Sequence, residues 1–221
     1  MAESDRRDFI LDVSRGGIAL AAASSCRGAK AETAAEVEES HPTFCTFTES
    51  FQDWSIPTVC RRFKELGLDG LDLTLRPGGH IEPKYARQQL PVAAEAAAEA
   101  GLKIAMLTTA ILEPDKQADA ILSTAGRLGI QRVKLGYYRY KGFGNLQEQI
   151  DRVRHQIESV AKLAKKFDVL PCVHVHSGKI IPSGGPVAYL LLKDFAPDEV
   201  GAYVDPMHMT LEGGIEGWRQ G

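Results

Sequence analysis

The chain has 221 residues, 44% of them hydrophobic and 25% charged, which are ordinary globular proportions. That apolar content excludes a disordered chain, and no run of about 18 apolar residues exists to span a membrane. A net charge of −3, from 26 basic and 29 acidic residues, argues against the clustered basic footprint of a nucleic-acid binder.

Residues 1–40 read as an address rather than as fold. Arg6-Arg7 is followed by Phe9-Ile10-Leu11, and then by a weakly apolar stretch from Gly16 to Ser25. This is a twin-arginine export pattern. Ala23-Ser24-Ser25-Cys26 resembles a lipoprotein cleavage box, so a lipid anchor at Cys26 stays open. Residues 27–40 are small, acidic and unpatterned, as a linker is. The expectation is a periplasmic protein in which about 185–195 residues fold after the signal is removed. Length alone suggests one domain, over residues 41–221. Besides Cys26 there are Cys45, Cys60 and Cys172, at no metal-like spacing. One disulfide is conceivable; buried thiols are the favoured reading, because Cys45 and Cys172 fall in predicted strands.

From residue 43 on, the chain repeats a unit. A helical stretch ends at Gly or Asp, one apolar residue follows, and a β-rich run begins. The junctions are Gly67-Leu68, Gly101-Leu102, Gly129-Ile130 and Asp168-Val169, separated by 34, 28 and 39 residues. Glycine at such a junction supplies the left-handed turn that reverses the chain, and the spacing is that of a βα unit. Predicted strands cover 43–48, 70–75, 103–108, 132–137, 170–176 and 200–205. Predicted helices cover 57–66, 83–100, 116–128, 146–167 and 186–194. The fourth helix has the plainest stripe: Leu146, Ile150, Val153, Ile157, Val160, Ala164 and Phe167 step by four and three. Asn145 with Glu148 predicts a capping pair at its start.

Alternating strands and helices mean a parallel sheet. An open doubly wound sheet and a closed (βα)8 barrel both satisfy the pattern. The first strand–helix turn lacks a glycine fingerprint and no Walker-type loop occurs, which favours the barrel. In a barrel the C-terminal ends of the strands carry the active site. Four of the six histidines, His80, His174, His176 and His208, follow or end a predicted strand. His174 and His176 are two apart and point to one side. Asp205 and His208 end the sixth strand and join them as a candidate divalent-metal or acid–base cluster. Arg76 and His80 sit in the loop after the second strand, and Tyr138 and Arg139 after the fourth. These four are the candidate substrate contacts, by guanidinium pairing and ring stacking. Asp72, inside the second strand, needs a buried partner.

The runs GLDGLDLTLRPGGHIEP (67–83), VHVHSG (173–178) and YVDPMHMTLEGG (203–214) resemble the sugar-phosphate isomerase/epimerase family of the xylose-isomerase-like TIM barrels. The resemblance extends over residues 42–221. It implies one divalent metal ion (Mn, Mg, Co or Zn) and proton transfer next to the carbonyl of a ketose, inosose or keto-sugar. It implies His174 and Asp205 as metal ligands and His208 as a substrate-contacting histidine; His176 and His208 are the candidate catalytic residues. His174 is a departure, because the family pattern there is Glu-Asn-His-Ser-Gly and this chain has His174-Val175-His176-Ser177-Gly178. The family's last two ligands, on its seventh and eighth strands, have no counterpart before Gly221. The expectation is therefore a C-terminally truncated barrel of six βα units. Its expected partner is a small sugar or sugar derivative, with no nucleic acid and no membrane span, and with a homo-oligomer open. A non-catalytic carbohydrate-binding relative and a keto-sugar lyase or dehydratase are the alternatives.

Overall fold

A computed structural model describes residues 41–219, and residues 215–219 only as backbone. The twin-arginine pattern and Cys26 lie outside the described residues. Strand β1 (Cys45–Phe47) leads through a short 3-10 turn (Thr48–Phe51) to helix α1 (Ile56–Glu65) and strand β2 (Gly70–Leu75). A second 3-10 turn (Pro83–Tyr85) opens α2 (Ala86–Glu99), followed by β3 (Lys103–Thr109), α3 (Lys116–Arg127) and β4 (Arg132–Lys134). Then come β5 (Tyr138–Arg139), α4 (Leu146–Lys165), β6 (Leu170–His174) and β7 (Ile180–Ile181). Helix α5 (Gly184–Leu192), β8 (Gly201–Tyr203) and α6 (Pro206–Arg219) complete the described chain, with α6 broken at Gly214.

Six strands form one all-parallel sheet in the order β1-β2-β3-β4-β6-β8, which is also their chain order. Between β4 and β6, and between β6 and β8, the chain inserts β5 and β7, which pair antiparallel as a separate ribbon. The junction residues behave as their sequence requires. Gly67, Gly101, Gly129 and Asp168 all have positive φ, from 56° to 74°. Gly70 fits only as glycine for another reason: a Cβ there would stand 2.4 Å from the carbonyl oxygen of Lys103 on the neighbouring strand.

The two faces of the sheet differ. Leu71, Leu73 and Leu75 of β2 join Val59 and Phe63 of α1 and Leu90 and Ala93 of α2 in a buried apolar core. Ile150, Val153, Ile157, Val160 and Ala164 of α4 continue it, along the stripe expected from the sequence. On the other face β2 presents Asp72 and Thr74, with Phe47 and Met106 beside Asp72 on the neighbouring strands. Thr108 Oγ1 donates to Asp72 Oδ1 at 2.8 Å, and Thr48 and Thr74 share a hydroxyl contact at 3.3 Å. A doubly wound sheet reverses its strand order at a switch point. Strands that follow one another in chain order without a reversal are the arrangement of a barrel wall. The described residues thus supply six of the eight units that close a (βα)8 barrel.

Several local expectations need correction. Asn145 does not cap α4: it is left-handed, with φ 52°, and makes no side-chain cap bond. Gln149, in the first turns of α4, instead ties down the preceding loop, accepting from Lys141 N–H at 2.6 Å and donating to the Gly144 carbonyl at 3.0 Å. Cys45 is exposed rather than buried, because β1 is an edge strand of the sheet; Cys60 and Cys172 are buried free thiols. Strand β4 stops at Lys134 and β6 at His174, earlier than predicted. Helix α6 was not foreseen, although Pro206 at its first position is a common start. Among the described residues no helix is long and apolar enough to cross a membrane.

A candidate metal centre at the strand ends

The site begins with Asp205. Its Oδ1 accepts the N–H groups of Met207 at 3.0 Å and His208 at 3.1 Å, so the carboxylate caps the start of α6. Its Oδ2 is left pointing at two imidazoles, 3.4 Å from His174 Nε2 and 3.8 Å from His208 Nε2. Burial disfavours the charge, but the His208 N–H, the His208 ring and His174 outweigh it, so the Asp205 pKa lies below the ordinary value. The capping role therefore fixes the orientation of the ligand oxygen.

The two imidazoles are held from behind in the same way. His208 Nδ1 meets Ser177 Oγ at 2.9 Å, and His174 Nδ1 meets the Tyr137 hydroxyl at 3.4 Å. Each ring thus has its rear nitrogen engaged and its Nε2 turned inward, as metal-binding histidines require. Burial, and then the nearby Lys134 cation, push the His174 pKa down to about 4. It is a neutral imidazole, the form that binds metal, throughout the physiological range. The three inward atoms lie within 4.8 Å of one another. Two imidazole nitrogens and one carboxylate oxygen suit zinc and its first-row neighbours. His174, Asp205 and His208 therefore fit a divalent ion, with His208 offering an atom to the same centre as the other two.

His176 flanks this trio. Its ring centroid is 3.7 Å from that of His208 and 5.3 Å from that of His174. Nδ1 donates to the Ser177 carbonyl at 2.8 Å, which leaves Nε2 with its lone pair. Tyr137 packs its ring against His176 at 4.9 Å, and Tyr203 packs on His174 at 4.6 Å. Arg76 joins the rim: it pairs with Glu49 and its cation lowers the Tyr137 hydroxyl pKa, although burial raises that pKa overall.

Three of the sequence candidates fall elsewhere. Both ring nitrogens of His80 are spent, on Thr74 Oγ1 at 3.1 Å and on the Phe51 carbonyl at 3.2 Å. It ties the loop after β2 to the turn after β1. Tyr138 is buried, with its hydroxyl donating to the Leu112 carbonyl at 3.1 Å, so it belongs to the core. Arg139 is exposed on the β5–β7 ribbon, with its Cα paired to Ile180. The sequence reading missed Tyr137 by one residue, along with Ser177, Tyr203 and Lys134. A lysine in the otherwise apolar run VKL was the available signal for the last.

No family model and no curated protein matches this sequence. Solved structures do. The chain is similar to D-psicose 3-epimerase crystallised with D-fructose, at 15% identity and TM-score 0.60, over 80% of this chain and 69% of that one. It is similar to the IolI protein with a bound zinc atom, at 15% identity and TM-score 0.66, over 81% and 69%. It is also similar to a xylose isomerase-like TIM barrel protein from Mycobacterium smegmatis in complex with magnesium, at 14% identity and TM-score 0.57, over 74% and 64%. At such identities the likeness is one of fold. That fold, of which the described residues supply six consecutive units, is the TIM barrel.

Proposed function

We propose that the chain is a metal-assisted sugar isomerase or epimerase, moving a proton next to the carbonyl of a ketose, inosose or keto-sugar. The observation that carries the reading is the convergence of His174 Nε2, His208 Nε2 and Asp205 Oδ2, each backed by a hydrogen bond to its other polar atom. Relatives in fold with bound zinc and magnesium, and one crystallised with D-fructose, support it. A divalent ion held there supplies charge that polarises a sugar carbonyl and its neighbouring hydroxyl. His176, with Nε2 free beside the trio, exchanges a proton with the sugar. Arg76 and Tyr137 on the rim hold hydroxyl groups.

Zinc titration against a competing chelator tests the metal centre. The full chain is expected to take up one ion, and His174→Ala or Ser177→Ala to weaken it by about 10–100-fold or more. No uptake by the wild-type chain sinks the proposal. Replacement of a family carboxylate by His174 favours one other reading, a carbohydrate-binding relative without catalysis. A panel of ketoses in heavy water separates the two: an isomerase incorporates deuterium next to the carbonyl, and a binder does not. We further propose that residues 1–40 direct export, which loss of periplasmic protein on changing Arg6 and Arg7 to lysine would support.

A further inference from the structure

The ribbon of β5 and β7 follows the C-terminal ends of β4 and β6, on the face that carries the metal centre. Strand β5 starts at the residue after Tyr137, whose ring lies 4.9 Å from that of His176. Strand β7 starts four residues after His176, and the His176 N–H donates to the Pro182 carbonyl at 3.1 Å just beyond it. Tyr138, Ile180 and Ile181 are buried and anchor the ribbon to the barrel. Arg139 pairs with Ile180, and the Tyr140 N–H donates to the Lys179 carbonyl at 3.1 Å. This pairing sets Lys179 opposite the backbone that carries Arg139 and Lys141.

Arg139, Lys141 and Lys179 are all exposed. None of the three forms an ion pair among the described residues. Glu212 reaches this segment from α6, but it accepts the Gly178 N–H at 2.6 Å rather than pairing with Lys179. The sequence keeps carboxylates out of both arms. Residues 120–147 and 169–193 contain no Asp or Glu, although 29 of the 221 residues are acidic, so each stretch should hold several. An ordinary solvated surface mixes both signs, whereas cations of one sign beside a site draw anions to it. We propose that this ribbon is the subsite for an anionic group, a carboxylate or a phosphate, carried by the sugar away from its reacting carbons.

The other cations near the mouth are not free for this task. Arg76 is paired with Glu49, and Lys134 is buried. On the ribbon, the Arg139 guanidinium offers a fork of N–H donors that fits two oxygens of a carboxylate or phosphate, and the two lysines add point charges. A sugar held at its carbonyl end by the metal centre and at its far end by the ribbon has its reacting carbon placed by two fixed points. A neutral sugar has only the first. The inference rests on the metal-assisted reading given above, and the ribbon itself makes and breaks no bond.

The test is calorimetric binding of D-fructose, its 6-phosphate and its 6-carboxylate to the full-length, zinc-loaded chain. One anionic form is expected to bind about tenfold or more tighter than fructose, with a preference that shrinks as salt is added. A tighter phosphate form identifies a sugar phosphate and a tighter carboxylate form a uronate, and either supports the inference. Changing Arg139, Lys141 and Lys179 together to glutamine should bring the preference to within about threefold, with zinc uptake unchanged. Arg139→Gln, Lys141→Gln and Lys179→Gln should each lose part of it, which covers the case of a poorly folded triple variant. Equal affinity of the wild-type chain for all three sugars overturns the inference. So does a preference that survives in the triple variant, because the anion is then held by the zinc ion and not by the ribbon. A wild-type chain that binds none of the three also overturns it, while zinc uptake and its loss in His174→Ala judge the metal centre separately.

Discussion

Asp72 faces the inner side of the sheet with Oδ1 bonded to Thr108 and Oδ2 without a partner. Burial raises its pKa to about 6, against the lowering effects of Thr108, Lys134 and Tyr203. The folded-state value is therefore above the unfolded one. Between pH 4 and 6, roughly, the folded protein holds a proton that the unfolded chain has released. Stability falls as pH rises through that window, and the full cost, about 2–3 kcal/mol, is present above it. Asp72→Asn should raise the urea midpoint at pH 8 and leave it unchanged near pH 4. Equal midpoints at pH 8 would refute this account. The same residue scale shows why the site was only partly legible. His174, His176, Asp205 and His208 were singled out because imidazoles and a carboxylate at strand ends are chemically conspicuous, and the fold brings them together. Tyr137 and Tyr138 were confused because β4 ends at Lys134, so the parity of side chains beyond it cannot be counted from the strand. His80 was conspicuous for the same reason as the others, but two local hydrogen bonds had already consumed it.

Gly126, inside α3, shows how elements constrain one another. Helix propensity alone favours alanine there by about 1 kcal/mol. A Cβ at Gly126, however, would stand 2.2 Å from the carbonyl oxygen of Phe167, in the segment that leaves α4. The obstacle is backbone, which cannot rotate aside as a side-chain tip can. Overpacking of this kind costs about 1–3 kcal/mol, so it outweighs propensity. Gly126→Ala should therefore lower the thermal midpoint by several degrees, and a gain would show that α3 can slide away from α4. Elements were mostly readable, since glycine junctions and the α4 stripe are local signals. The errors came where a local signal has two physical outcomes. Asn145 tolerates the left-handed conformation as well as a cap position, and here its backbone took the former. Asp205-Pro206-Met207-His208 read as the close of the sixth strand, yet the aspartate and proline start α6.

At the scale of the molecule, the repeat of about 34 residues dictated parallel strands, which are observed. What periodicity left open, barrel or doubly wound sheet, is decided by the strand order, which runs β1-β2-β3-β4-β6-β8 without the reversal of a doubly wound sheet. The residues of that barrel wall also set a boundary. Contacts divide the chain at Ser40, and every residue of the described apolar core lies at Val59 or beyond. A chain beginning at His41 should thus lose none of this core, and its urea midpoint should match that of the full chain. The urea dependence scales with surface newly exposed on unfolding, so a leader that buries nothing leaves the slope unchanged as well. A lower midpoint together with a smaller slope would mean that residues 1–40 pack on the barrel, and that they are part of the fold rather than an address preceding it.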